Sequence, residues 1–227
     1  MRINADFSKQ AVVRPGDVDW VPSPLPGVER QMFDRIGGEV ARATTIVRYA
    51  AGSYFDPHTH GGGEEFLVLD GVFSDEHGDY PAGTYVRNPI GTAHKPFSRD
   101  GCTILVKLHQ FAHNDTRQFF VHWDDMKFEN GGVPGVDFAW LHHHGPEQVK
   151  MVRWAAGSSF PEHIHPGGSE VYVLKGTLSD EDGDYPAGTW IRHGDGSQHA
   201  PYSKDGALTW TKTGHLSADV LGKWAGR

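Results

Sequence analysis

Cysteine is almost missing from this chain: Cys102 stands alone among 227 residues. A single thiol rules out an internal disulfide and every cysteine-rich zinc module, and its expected place is a small buried position in a core. Long apolar runs are missing as well. No segment approaches roughly eighteen uninterrupted apolar residues, and Met1 to Asp6 contains no apolar signal core, so neither a membrane span nor a secretory leader is expected. A cytoplasmic address follows by default. Clustered basic charge is the third absence. The 21 Lys and Arg are dispersed among 29 Asp and Glu, giving a formal charge of −8, the wrong sign for a surface that neutralises phosphates. Nucleic acid and membrane are therefore not expected as partners, and a small molecule is. A helical period of ten or more residues is also lacking in the body of the chain, and only the tail, Leu216 to Trp224, suits a short helix. What is plentiful is histidine, fifteen in all.

The chain repeats itself. Arg48-Tyr-Ala-Ala-Gly-Ser53 returns as Arg153-Trp-Ala-Ala-Gly-Ser158, and Ser74-Asp-Glu-His-Gly-Asp-Tyr-Pro-Ala-Gly-Thr84 returns as Ser179-Asp-Glu-Asp-Gly-Asp-Tyr-Pro-Ala-Gly-Thr189. The offset is a constant 105, as from His58 to His163, and no gap is needed through Asp100-Gly101 and Asp205-Gly206. Upstream, Pro26-Gly-Val28 and Pro134-Gly-Val136 match at 108, which places a small insertion between them and the repeat core. Solenoid units run about 20 to 50 residues, so a repeat this long should be a domain with its own core.

Within each copy the signals are those of short strands and turns. Residues 1–27 read as an extended, Pro-rich lead-in. Val28 to Phe33, Thr44 to Tyr49, Phe66 to Leu69, Val72-Phe73, Thr84 to Arg87 and Ile104 to Leu108 are runs rich in β-branched and aromatic residues. The acidic turn Asp75-Glu-His-Gly-Asp79 should close a hairpin. A calcium loop there carries little weight, because the acidic residue that closes an EF-type loop is missing. Ala112 to Gln118 is the best linker, with Phe119-Phe-Val121 opening the second copy, so the expected domains are 1–117 and 118–227. The fold class is all-β: two tandem barrels or jelly rolls, whose closure hides strand edges.

His58 and His60 are one residue apart on a predicted strand, so both project from the same face and can grip one ion. His94 and a carboxylate from neighbouring strands would complete a nitrogen and oxygen site for a divalent first-row metal, with positions left open. Glu64 and Glu65 are adjacent on a strand, so only one of them can face the histidines. In the second copy His163, His165 and His199 occupy the same positions, but Ser169 replaces Glu64 while Glu170 matches Glu65. That makes a three-histidine site at most. His193 replaces Asn88, an extra imidazole that either rescues coordination or sits on the surface. His142-His-His144 reads as an exposed polar stretch, and His77, His109, His113, His122 and His215 have no partner at ligand spacing. Tyr80 and Tyr185 recur at a turn in both copies, which fits a structural role. Trp154, Phe55 and Trp190 read as barrel core.

His58-x-His60-x-x-x-Glu64 with Gly71, then Gly83, Pro89-x-Gly91 and His94, resembles the two cupin motifs, with Ser98 at the last position where Asn is usual. Gly-Gly-Glu64-Glu65, Gly-Asp-Tyr-Pro-Ala-Gly-Thr84 and Arg87-Asn-Pro-x-Gly-Thr-x-His94 are similar to the ChrR-type cupins, the branch that includes the cupin half of a zinc-binding anti-sigma factor and proteins akin to acetylacetone dioxygenase. The doubled unit resembles a bicupin. The resemblance implies two barrels of six to eight strands with metal inside, and it favours Glu64 over Glu65 as the ligand. The helical, cysteine-containing zinc region of the anti-sigma members has no match here, which counts against a sigma-binding role.

Two readings of function follow. One is a metal-dependent dioxygenase of small β-diketones or hydroxyaryl ketones, with His58, His60, Glu64 and His94 as ligands. The other is a non-catalytic zinc cupin that senses a small ligand or oxidant. Either takes one divalent metal per intact site, with Fe(II) or Zn ahead of Mn or Ni. Two barrels in one chain mimic the dimer that single cupins often make, so a monomer and a homodimer of the whole chain both stay open.

Overall fold

The computed structural model describes residues 1–217 and 221–222; most of the helix expected in the tail lies outside the described residues. Two β-units account for the chain, as the repeat requires. In the first, the main sheet runs in the order Arg2–Ile3, Val28–Gly37, Ala41–Tyr49, Cys102–Leu108, Glu64–Asp75, Tyr85–Asn88, Phe119–Val121. The second repeats that order with Phe128–Val133, Val136–His144, Glu147–Trp154, Ala207–Thr213, Ser169–Asp180, Trp190–His193 and Ala11–Val13. Among the described residues no helix is long and apolar enough to cross a membrane.

The two runs expected on either side of Gly71 are one continuous strand, Glu64–Asp75. Gly71, paired with Cys102, takes φ +70° two residues beyond Leu69, the residue left over where the ladder shifts register between Thr103 and Ile104, and a Cβ on Gly71 would lie 2.2 Å from the Gly101 carbonyl oxygen. Only glycine fits there without displacing the neighbouring backbone. Gly176 repeats the arrangement at φ +70°. Val28, Val47, Tyr49, Phe66, Phe73 and Val106 belong to the core inside the first unit, and Val136, Val152, Trp154, Val171 and Leu178 to that inside the second. Cys102 is 3% exposed, and burial pushes its thiol up to about 11, as a core position requires.

The first of two corrections concerns where the units begin and end. Phe119–Val121 is a strand, as predicted, but it pairs with Tyr85–Asn88 of the first unit, Phe120 opposite Val86. Ala11–Val13, read as lead-in to the first unit, instead pairs with Trp190–His193 of the second, Val12 opposite Ile191. Among the described residues the compact units are 1–5 with 18–125, and 6–17 with 126–217 and 221–222. A contiguous cut after residue 117 does not follow this packing, because each unit takes its last strand from the segment preceding the other. Trp123 underlies Gly83 as Pro15 underlies Gly188, so the exchange is the same at both places. The second correction concerns His142. It lies on a strand and is 5% exposed, while His143 is exposed and His144 half-buried, so the three-histidine tract is exposed only in part.

Candidate metal centres

His58–Thr59 pairs with Ala93–His94 in a two-stranded ladder that sets His58 directly opposite His94. His60 follows on the same side, and Glu64 opens the next long strand. In the first unit the ring centroids of His58, His60 and His94 are 4.6–5.2 Å apart. Glu64 Oε1 is 3.5 Å from both His60 Nε2 and His94 Nε2. One ligand atom from each of these four residues lies within 4.8 Å of all the others. The four residues read from the sequence are therefore brought together, while Glu65 points the opposite way: its Oε2 accepts from Tyr85 Oη at 2.5 Å and Arg87 Nη1 at 2.7 Å.

Whether these residues fit a metal is decided by their nitrogens. His58 Nδ1 is 2.9 Å from the Asp56 carbonyl, His60 Nδ1 2.9 Å from Thr92 Oγ1, and His94 Nδ1 3.2 Å from Asp75 Oδ2. With Nδ1–H donating outward, the Nε2 lone pairs face the common point. His60 Nε2 and His94 Nε2 are buried and have no hydrogen-bond partner. Buried polar atoms are rarely left so, and a ring held from behind with its other nitrogen free is how a histidine ligand is presented to a metal. The donor set fits a divalent cation. Burial lowers the pKa of His60, which keeps it neutral as a ligand must be. Burial acts in the same direction on His94, but the Asp75 hydrogen bond and the Glu64 charge outweigh it and raise its pKa.

The second unit differs at one ligand. His163, His165 and His199 converge within the same 4.8 Å limit, with ring centroids 4.6–5.1 Å apart. His163 Nδ1 is held by the Pro161 carbonyl at 2.9 Å and His199 Nδ1 by Asp180 Oδ2 at 3.1 Å, while buried His165 Nε2 is unpartnered. Ser169 stands opposite His193 as Glu64 stands opposite Asn88. Glu170 keeps the outward facing of Glu65, bonded to Trp190 Nε1 at 3.2 Å and His215 Nε2 at 2.9 Å. His193 is buried, not on the surface. Its nitrogens meet Ser169 Oγ at 3.3 Å, Gln10 at 3.4 Å and Asp180 at 3.9 Å, so it groups with Asp180 and His199 and does not replace Glu64 at the three-histidine point. Burial, aided by the neighbouring imidazoles, takes His165 down to about 3 and His193 down to about 4.

Sequence reading missed the groups that hold the histidines. Asp75 was seen only as part of a turn. Its Oδ1 accepts from the backbone of His77 and Gly78 and from Tyr80 Oη, which leaves Oδ2 for His94. Asp180 does the same work beside His199, with Tyr185 Oη at 2.8 Å. The available signal was the repetition of Ser-Asp-Glu and Asp-Tyr-Pro around one turn in both copies. His215, set aside for want of a partner, forms a buried pair with Glu170.

Antiparallel barrels with one histidine on a short strand, a second just beyond its end and a third on the partner strand are the arrangement of the cupin class, here twice in one chain. The ChrR cupin-like domain matches residues 8–112 and again 116–217. The chain belongs to that family. No curated protein matches it significantly in sequence. Among solved structures it is similar to a protein of Nostoc punctiforme provisionally named a dioxygenase, at 13% identity and TM-score 0.70, over 94% of this chain and 81% of that one. The oxalate decarboxylase of Lactobacillus farciminis, solved with formate, aligns at 12% identity and TM-score 0.66, covering 91% and 86%. A pirin of Escherichia coli in complex with nickel(II) aligns at 12% and 0.66, covering 90% and 98%. Identities this low express a shared fold.

Proposed function

We propose that the protein is a divalent-metal-dependent dioxygenase acting on small carbonyl compounds, β-diketones or hydroxyaryl ketones, with Fe(II) as the working metal. The observation that supports this most directly is the set His58, His60, Glu64 and His94, with two buried Nε2 atoms left without hydrogen-bond partners. When bound, a redox-active divalent metal supplies Lewis acidity toward a chelating ketone and a route for electrons to oxygen.

The chain's own groups do the positioning. His58, His60 and His94 are locked from behind by Asp56, Thr92 and Asp75, so little reorganisation remains to be done at the site. Glu64 contributes the single negative charge. Three imidazoles and one carboxylate would supply four ligands and leave two positions at a six-coordinate metal, whereas a four-coordinate zinc would be closed by the same set. The likeness in fold to the provisionally named dioxygenase of Nostoc punctiforme agrees with this reading. The test is oxygen consumption by apo-protein reloaded with Fe(II), across a panel of β-diketones and hydroxyaryl ketones. Uptake with at least one class is expected. An iron-replete protein that consumes no oxygen with any of them would sink the assignment and leave a zinc-bearing sensor in its place.

A further inference from the structure

The two barrels carry the same histidines but different interiors. A cavity of about 470 Å³ opens over His163, His165 and His199 in the second unit, walled by Phe138, Val152, Trp154, Phe160 and Leu178. That is within the range of small-molecule sites, roughly 300 to 1,000 Å³, and its apolar walls with few polar groups are typical of them. The repeat shows how the space arises. Where the first unit has Phe66 and Phe73, the second has Val171 and Leu178. In the first unit those rings are 1% exposed, 4.5 Å apart, with Phe73 5.9 Å from the His94 ring, so aromatic side chains pack against the site itself. Val106 and Leu108 likewise become Thr211 and Thr213, which line the cavity. At these matched positions the second barrel carries smaller or more polar side chains.

Charge differs in the same sense. Glu64 would offset one of the two charges of a metal in the first unit, but Ser169 stands at that position in the second and Glu170 faces away toward Trp190 and His215. Asp75 and Asp180 are common to both units and do not alter the comparison. A dication on three neutral imidazoles beside an apolar cavity keeps an uncompensated charge. Lys150 adds a second positive centre. It replaces Thr45, alternates with Gln148 and Val152 on the cavity side of its strand, and touches the faces of Phe138 at 4.7 Å and Trp140 at 5.1 Å. Among the described residues no carboxylate pairs with it, and burial holds its pKa below the ordinary lysine value, a penalty that an anion beside it would relieve.

We propose that the second unit is a ligand-binding site of its own, and that its cavity takes a small monoanion with an apolar body and two chelating oxygens, a carboxylate or an enolate. The oxygens complete the coordination left open by His163, His165 and His199, the charge faces Lys150, and the body lies on Trp154, Phe160 and Leu178. Zinc held by the four ligands of the first unit would be closed there, so binding to the zinc-loaded protein reports on the second unit. This rests on the reading that the histidines hold a divalent metal.

Calorimetric titration of the zinc-loaded protein tests it, since zinc supports binding without turnover. The probes are 3-phenylpropanoate, 1-phenylbutane-1,3-dione and the neutral 3-phenylpropan-1-ol. One equivalent of at least one anionic probe per chain is expected, with the alcohol weaker by about tenfold or more, the worth of one charge-assisted contact. Preference for the acid or the diketone identifies the carboxylate or the enolate as the natural head group. Val171→Phe, which restores the residue found in the first unit, should abolish binding with metal content unchanged. Leu178→Phe serves if that variant fails to fold. Lys150→Met should weaken the anionic probes by about tenfold and leave the alcohol unchanged. Undiminished binding in both cavity-filling variants, or loss of binding in Glu64→Gln with the second site intact, would overturn the proposal. The outcomes separate from the oxygenase assignment: binding without oxygen uptake removes that assignment alone, and oxygen uptake by a protein whose second site binds none of the probes removes only this one.

Discussion

Asp75→Asn is the substitution in which the geometry makes the sharpest demand. The side chain is nearly isosteric, yet its two oxygens have different tasks: Oδ1 accepts from the His77 and Gly78 backbone amides, and Oδ2 faces His94 Nδ1 at 3.2 Å. An asparagine must turn its oxygen toward the two amides, because its NH2 group would otherwise meet two donors. The NH2 then faces His94 and can only donate to Nδ1, which moves the ring proton to Nε2, the atom that should bind metal. Loss of such an outer partner costs about 10- to 100-fold in metal affinity, or roughly 1.4–2.8 kcal/mol. The fold should survive, since the amides keep their acceptor. Competition of a chromophoric chelator for Zn(II) at neutral pH measures the effect, with Asp180→Asn as the counterpart at His199 Nδ1. Unchanged affinity of the first site in Asp75→Asn would refute the tautomer argument, and an unfolded variant would show that Asp75 matters to the turn first.

Three further predictions concern the carboxylates, the buried arginine and pH. Glu64→Gln should lower metal content per chain by elemental analysis while circular dichroism stays unchanged; Glu65→Gln should do the reverse, leaving metal and reducing stability, because Glu65 faces Tyr85 and Arg87. Arg87→Met should destabilise the first unit by about 3–5 kcal/mol in urea unfolding, since it strips Glu65 and Asp115, 2.7 and 2.6 Å away and fully buried, of their shared cation. Metal-free protein should lose stability as pH falls below 6.5. His165 and His193 are held near 3 and 4 when folded, so between those values and 6.5 the unfolded chain binds more protons and the equilibrium shifts toward it. Depressed His60 and His163 act in the same direction, while the raised His94 opposes them. A urea midpoint equal or higher at pH 5 than at pH 7.5 would contradict the burial of these imidazoles.

The repeat made the fold legible, because an offset of 105 without gaps carries every turn and strand of one copy onto the other. His58, His60 and His94 could be found for the same reason, being ligand types at strand spacing that recur as His163, His165 and His199. The choice of Glu64 over Glu65 was not in the alternation alone, which gives two opposite faces without saying which is inward; it came from the family likeness. Two things were out of reach. Strand pairing is a long-range property, so nothing local to Ala11–Val13 says that it lies beside Trp190–His193, roughly 180 residues away in sequence. Cavities are differences of volume, and Phe66 against Val171 becomes meaningful only once both are known to face a barrel interior.

The exchanged strands have a consequence for taking the protein apart. A fragment ending at residue 117 would carry Ala11–Val13 with nothing to pair with, and Tyr85–Asn88 would be left as a bare edge. The complementary fragment would have the mirror problem at Phe119–Val121 and Trp190–His193. A lone half is thus an adhesive monomer that can saturate its backbone by trading first strands with another copy of itself, in the manner of a domain-swapped dimer. Joining two such halves in one chain makes the trade intramolecular, so it no longer depends on protein concentration. With that dependence gone, one cluster is free to change while the other keeps its carboxylate, as Ser169 against Glu64 illustrates.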